Sequence, residues 1–185
     1  MRFLGFQDTL YADSKSCHGQ TSGACRASRQ YFADCYIEGH VDFIFGDAKA
    51  VFDRCEIHTL AHVADTITAQ SRLRPEEDSG YVFHDCTVTA EEGWKDILLG
   101  RPWRDYSTVV FVNTNFQAPL DPKGWLEWGG RLKTSDYAEY NSRGMAGDVS
   151  QRIAPSRQLT AADVAKYETR MWLAGADGWD PEKMH

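Results

Sequence analysis

Val51-Phe52-Asp53-Arg54-Cys55-Glu56-Ile57 is the stretch that decides the fold, because it is not unique. Tyr31-Phe32-Ala33-Asp34-Cys35-Tyr36-Ile37 precedes it and Val82-Phe83-His84-Asp85-Cys86-Thr87-Val88 follows it. A fourth copy, Val110-Phe111-Val112-Asn113-Thr114-Asn115-Phe116, has threonine in place of the cysteine. Each copy alternates apolar and polar residues with period two and is rich in aromatic and β-branched types, which is a strand signature. The phenylalanines recur after 20, 31 and 28 residues. Units of that length, each too small to bury its own apolar face, stack into a solenoid.

Stacking places equivalent residues above one another. Cys35, Cys55 and Cys86 then form one internal ladder, and Phe32, Phe52 and Phe83 another. A buried free cysteine acts as a small hydrophobe and suits a narrow interior; a disulfide between coils or a nucleophilic thiol is the competing reading. Unequal repeat lengths mean that loops of different size leave the coils, and binding sites collect on such loops. The chain is expected to end differently. Thr160-Ala161-Ala162-Asp163 resembles a capping box, opening a terminal helix over 160–174 that would shield the open end of the stack.

The 185 residues suit a single domain spanning 1–185. No apolar run reaches the roughly 18 residues of a membrane span. Met1 opens a strand-like segment rather than the basic, apolar, small-residue order of a signal peptide. The net charge of −7 argues against nucleic acid, which requires a concentrated basic surface. A neutral ester, or a polymer whose charges are masked by esterification, is not repelled. The cysteines show no CxxC pair, and the six histidines lack metal-ligand spacing, so neither a metal nor another cofactor is expected. Cys17 and Cys25 bracket a turn-rich stretch that a disulfide could close.

Three segments carry candidate chemistry. In Val41-Asp42-Phe43-Ile44-Phe45, a carboxylate interrupts an apolar run, which is costly unless the charge is paired. A turn or a structural salt bridge is the ordinary explanation. Arg101, stiffened by Gly100 and Pro102, is the natural partner, and together they make an oriented, poorly hydrated carboxylate suited to nucleophilic attack. Asp8 is the second acid, able to titrate differently in its own environment. Gln7 offers an amide donor for an oxyanion, although a Gln-Asp pair before a turn is often only structural. Trp103, Tyr11, Phe45, Trp125 and Trp128 supply rings for the apolar faces of sugars, with core packing the alternative for the last two.

Gly5-Phe6-Gln7-Asp8-Thr9-Leu10-Tyr11, Asp34-Cys35-Tyr36-Ile37-Glu38-Gly39, Val41-Asp42-Phe43-Ile44-Phe45-Gly46 and Leu99-Gly100-Arg101-Pro102-Trp103 closely resemble the signature blocks of pectin methylesterases. Thr66-Ile67-Thr68-Ala69-Gln70 and Gly124-Trp125-Leu126-Glu127-Trp128 also look like family blocks, and the order is the family's from about residue 3 to about residue 180. The resemblance implies an all-β, right-handed parallel β-helix. It implies hydrolysis of galacturonate methyl esters in pectin by a secreted, extracellular or periplasmic monomer. Asp42 is then the nucleophile, Asp8 the acid/base, Arg101 the residue orienting Asp42, and Gln7 an oxyanion donor. Trp103, Tyr11, Phe45, Val41 and Trp128 are expected at the sugar. Relative to the family, N-terminal coils bearing a further oxyanion glutamine are missing, and the loop 13–27 looks inserted. A catalytically weak pectin-binding module, or a glycosidase or lyase on a similar β-helix, is the alternative.

Overall fold

The computed structural model describes residues 1–14, 27–62 and 65–184. The Cys17–Cys25 pair and nearly all of the loop 13–27 lie outside the described residues. Every strand pairing is parallel, and the strands form three sheets that the chain visits in rotation. The first sheet contains Arg2–Phe3, Tyr36–Gly39, Glu56–Thr59, Thr87–Ala90, Asn115–Phe116 and Arg143–Gly144. The second contains Leu10–Tyr11, Val41–Gly46, Thr66–Gln70 and Leu98–Gly100. The third contains Arg29–Ala33, Lys49–Asp53, Gly80–His84, Thr108–Val112, Asp136–Tyr140 and Arg157–Gln158. This is the solenoid expected from the repeats, in the form of the parallel β-helix that the resemblance implies.

The repeat sets the register. Phe32, Phe52, Phe83 and Phe111 are direct partners on successive strands of the third sheet. Their rings stack at 4.9, 4.5 and 4.4 Å between centroids, close to the strand spacing itself. After each of these strands the chain turns sharply into the first sheet. The corner residue has left-handed φ in every coil: Asp34, Arg54, Asp85, Asn113 and Asn141. Aspartate and asparagine tolerate that conformation, which explains their recurrence just before the cysteine position. The three cysteines follow as free, buried thiols, not bridged. Cys55 Sγ donates to the Phe32 carbonyl and Cys86 Sγ to the Phe52 carbonyl, each at 3.3 Å, tying one coil to the one before.

The aromatic ladder stops at Glu139, which pairs with Phe111 in register. Its side chain is 0% exposed and takes Arg152 Nε at 2.7 Å, with the arginine side chain itself 4% exposed. Trp125 and Tyr137, stacked at 4.3 Å, fill the interior beside this pair, so Trp125 belongs to the core.

The tail differs from expectation in two respects. Thr160 and Asp163 do form the capping box, but the helix that starts there is broken. Ala161–Val164 is α-helical, Ala165–Tyr167 is a 3-10 turn, and Thr169–Trp172 is helical again after Glu168 takes an extended ψ of 138°. Nor does this segment shield the end of the stack. Val51, Val82, Val110 and Ala138 point outward from the third sheet, and Leu159, Val164, Tyr167 and Leu173 cover them as a second apolar cluster. Strand alternation explains the difference: the valines flanking each phenylalanine face outward and require a cover of their own.

Candidate active site

The second sheet brings the candidate residues together. Leu10 pairs with Ile44, and two residues upstream on each strand stand Asp8 and Asp42, with φ of 55° and 52°. The register between the Val41–Gly46 and Thr66–Gln70 strands slips between Val41 and Ile44. A bulge of this kind re-aims a side chain, and here it turns Asp42 out of the strand alternation. The Asp8 N–H donates to the Val41 carbonyl at 3.2 Å. Gly100, on a strand two coils on from that of Asp42 and three on from the Asp8 turn, pairs with Thr68. A β-carbon on Gly100 would stand 1.9 Å from the Thr68 hydroxyl, so only glycine lets the Arg101 segment approach this closely.

Arg101 reaches back across the intervening coil to Asp42. Its Nη2 donates to Asp42 Oδ2 at 2.6 Å, and Nε lies 3.0 and 3.1 Å from Oδ1 and Oδ2. Asp42 is 7% exposed. One guanidinium grips this desolvated carboxylate at both oxygens and fixes its orientation. Asp8 lies beside it, exposed overall but lining the same cleft. Desolvation of its carboxyl, followed by the Asp42 charge, raises its pKa, while Arg101 pulls the other way. Beside the acid gripped by Arg101 stands a second that retains its proton more readily than a free carboxyl.

Gln7, Asp8, Asp42, Phe45, Ala69, Arg101, Trp103 and Trp128 line a cleft of about 230 Å³. Phe45 and Trp103 lie 6.1 Å apart at its wall, and Tyr11 stacks on Phe45 at 4.6 Å. Tyr11, half-exposed, adjoins the cleft through Phe45 and does not itself line it. Val41 also contributes no cleft wall, and its contact is the carbonyl that holds Asp8. Trp128 does more than line the cleft: the Arg101 guanidinium lies 4.1 Å from its ring centroid, so the indole covers the back of the cation. Thr66, not singled out from the sequence, donates to Asp42 Oδ1 at 2.5 Å. Among the described residues, no group of three His, Cys, Asp or Glu side chains is placed to hold a metal ion.

A second carboxyl pair flanks the aromatic wall. Asp47 Oδ1 accepts the Ser14 N–H at 2.6 Å, and the Asp47 N–H donates to Asp13 Oδ1. Burial, then the hydrogen bond and charge of Asp13, push Asp47 from 3.8 up to about 7. Asp13, desolvated but held by Tyr11 and Asp47, is lowered. The folded chain therefore keeps a proton on Asp47 that the unfolded chain has already lost. Stability falls as pH rises from about 4 to about 7 and stays lower above that. Asp47→Asn should leave stability near pH 4 almost unchanged and raise it at pH 8 by on the order of 1 kcal/mol. Urea midpoints at the two pH values check this, and an equal shift at both would contradict it.

Fold and cleft together define a parallel β-helix protein with a two-acid, one-arginine site. The pectinesterase family model matches residues 1–176, and the chain belongs to that family. Pectinesterase 2 of Citrus sinensis is 37% identical over 192 residues, covering 97% of this chain and 35% of the citrus protein. The pectin methylesterase from carrot superposes with a TM-score of 0.82 at 28% identity, covering 100% of this chain and 58% of the carrot chain. The pectin methylesterase from Aspergillus niger gives 0.76 at 32% identity, covering 98% and 55%. This chain thus spans about a third of the citrus relative and a little over half of each solved enzyme. No helix among the described residues is long and apolar enough to cross a membrane.

Proposed function

We propose that this chain hydrolyses the C6 methyl esters of galacturonate units in pectin, releasing methanol and leaving the polymer intact. The observation that carries the reading is the Arg101–Asp42 pair in a cleft shared with Asp8. An Asp42 oxygen attacks the ester carbonyl, and the oxyanion that forms accepts from the Gln7 amide. Collapse breaks the bond to the methoxy oxygen, which takes the Asp8 proton and leaves as methanol, so that Asp42 and the galacturonyl carbon share an anhydride. Asp8, now a carboxylate, takes a proton from water. The hydroxyl adds to the galacturonyl carbon, the bond to Asp42 breaks, and both acids return to their starting states. Trp103 and Phe45 take the apolar face of the sugar. The site is built from one chain, which supports a monomer, and a polymeric wall substrate requires a secreted enzyme.

The test is methanol release from methyl-esterified pectin with polymer length followed in parallel. Methanol with unchanged length is expected. New reducing ends or unsaturated products would indicate a glycosidase or lyase, and binding without products a binding module.

Asp8 must be protonated in the first step, so kcat/KM should fall as pH rises through its raised pKa. Asp8→Asn keeps the shape but cannot transfer a proton. Turnover should drop by about 10²–10⁴-fold, with the alkaline limb of the pH profile lost. A variant that keeps that limb would remove Asp8 from the proton transfer.

A further inference from the structure

Arg101 alone does not account for the way Asp42 is held. The Asp42 N–H donates to Thr66 Oγ1 at 3.2 Å, and Thr66 Oγ1 in turn lies 2.5 Å from Asp42 Oδ1. A hydroxyl has a single hydrogen. Because the backbone N–H occupies an acceptor position on Oγ1, that hydrogen is directed to Oδ1. The result is a closed ring, from Asp42 N–H to the Thr66 hydroxyl and back to the Asp42 carboxylate. Thr66 is itself fixed: it is buried, its N–H donates to the His40 carbonyl at 3.2 Å, and its strand pairs with Leu98 on the next coil. The ring holds the left-handed backbone at Asp42 and the plane of its carboxylate together.

The two oxygens are consequently unequal. Oδ1 is bound from two directions, by Thr66 and by Arg101 Nε, whereas Oδ2 is bound by the guanidinium alone. Each carboxylate oxygen has two lone pairs. Nε is shared between the two oxygens, and both donors to Oδ2 come from the one guanidinium, so only Oδ1 is engaged by a second residue.

We propose that Thr66 is a positioning residue that locks the Asp42 carboxylate and presents Oδ2 as the attacking atom; the catalytic half of this rests on the esterase reading above. Thr66→Val preserves the branched shape and deletes both hydrogen bonds, whereas Thr66→Ser retains both. In Thr66→Val, kcat for methanol release should fall on the order of 10²-fold with KM nearly unchanged, because the nucleophile is misplaced rather than the polymer released. Removing a donor from a carboxylate disfavours its charged form. The ¹³C titration of the Asp42 carboxyl should therefore move to higher pH in the valine variant and return in the serine variant. A merely structural threonine would leave that titration unmoved. If the valine variant does not fold, Thr66→Ala gives the same two readouts. A folded variant that titrates and turns over like the wild type overturns the proposal. A titration that moves while the wild type releases no methanol upholds the carboxylate lock and removes the esterase reading.

Discussion

Asp42→Asn is expected to lose methanol release by about 10⁴-fold or more while binding methylated pectin almost as the wild type does. The amide has nearly the shape of the carboxylate, so the cleft walls formed by Phe45, Trp103 and Trp128 stay in place. It lacks an oxygen able to form the anhydride, and its nitrogen faces the donors of Arg101. Turnover assays at saturating pectin, together with affinity electrophoresis, separate the two effects. Loss of binding in step with activity would make Asp42 a structural anchor, and turnover near that of the wild type would dismiss it as nucleophile.

The second large effect concerns stability. Glu139→Ala leaves the Arg152 guanidinium without its carboxylate in the interior of the stack. The arginine still donates to the Ala146 and Pro122 carbonyls, but neither neutralises it. Breaking a buried pair on one side costs about 3–5 kcal/mol. The double change Glu139→Leu with Arg152→Met continues the apolar interior past Phe111 and should recover most of that loss, as replaced buried pairs often do. Urea unfolding of the wild type, the single and the double variants forms the cycle. A single-variant loss below about 1 kcal/mol would mean that water reaches the pair.

Both residues show what was legible in the sequence. The phenylalanine and cysteine ladders could be read because each copy repeats the same inward and outward alternation, and parallel register brings like residues together. The next copy, Ala138-Glu139-Tyr140-Asn141-Ser142, passed unread because glutamate replaces the phenylalanine and serine the cysteine. The second sheet was harder, since its strands share no consensus. The apolar run around Asp42 marked a costly carboxylate, but the slip that turns it into the cleft arises from pairing with a strand 24 residues away, as the Thr66 contact shows. Within the block Thr66-Ile67-Thr68-Ala69-Gln70 nothing marks Thr66 as a partner of Asp42, because a threonine in a strand reads as β-branched packing. Trp128 was read as a sugar platform, and its hold on Arg101 depends on a contact across coils that no local pattern encodes.

Asp8, Asp42, Thr66 and Arg101 each sit on a different turn of the solenoid. A structure of this kind is held by neighbour-to-neighbour interfaces and can fray from an end without collapsing. The integrity of the cleft is therefore only as durable as the weakest of the junctions joining those four turns, and it can vanish while most of the strand signal survives.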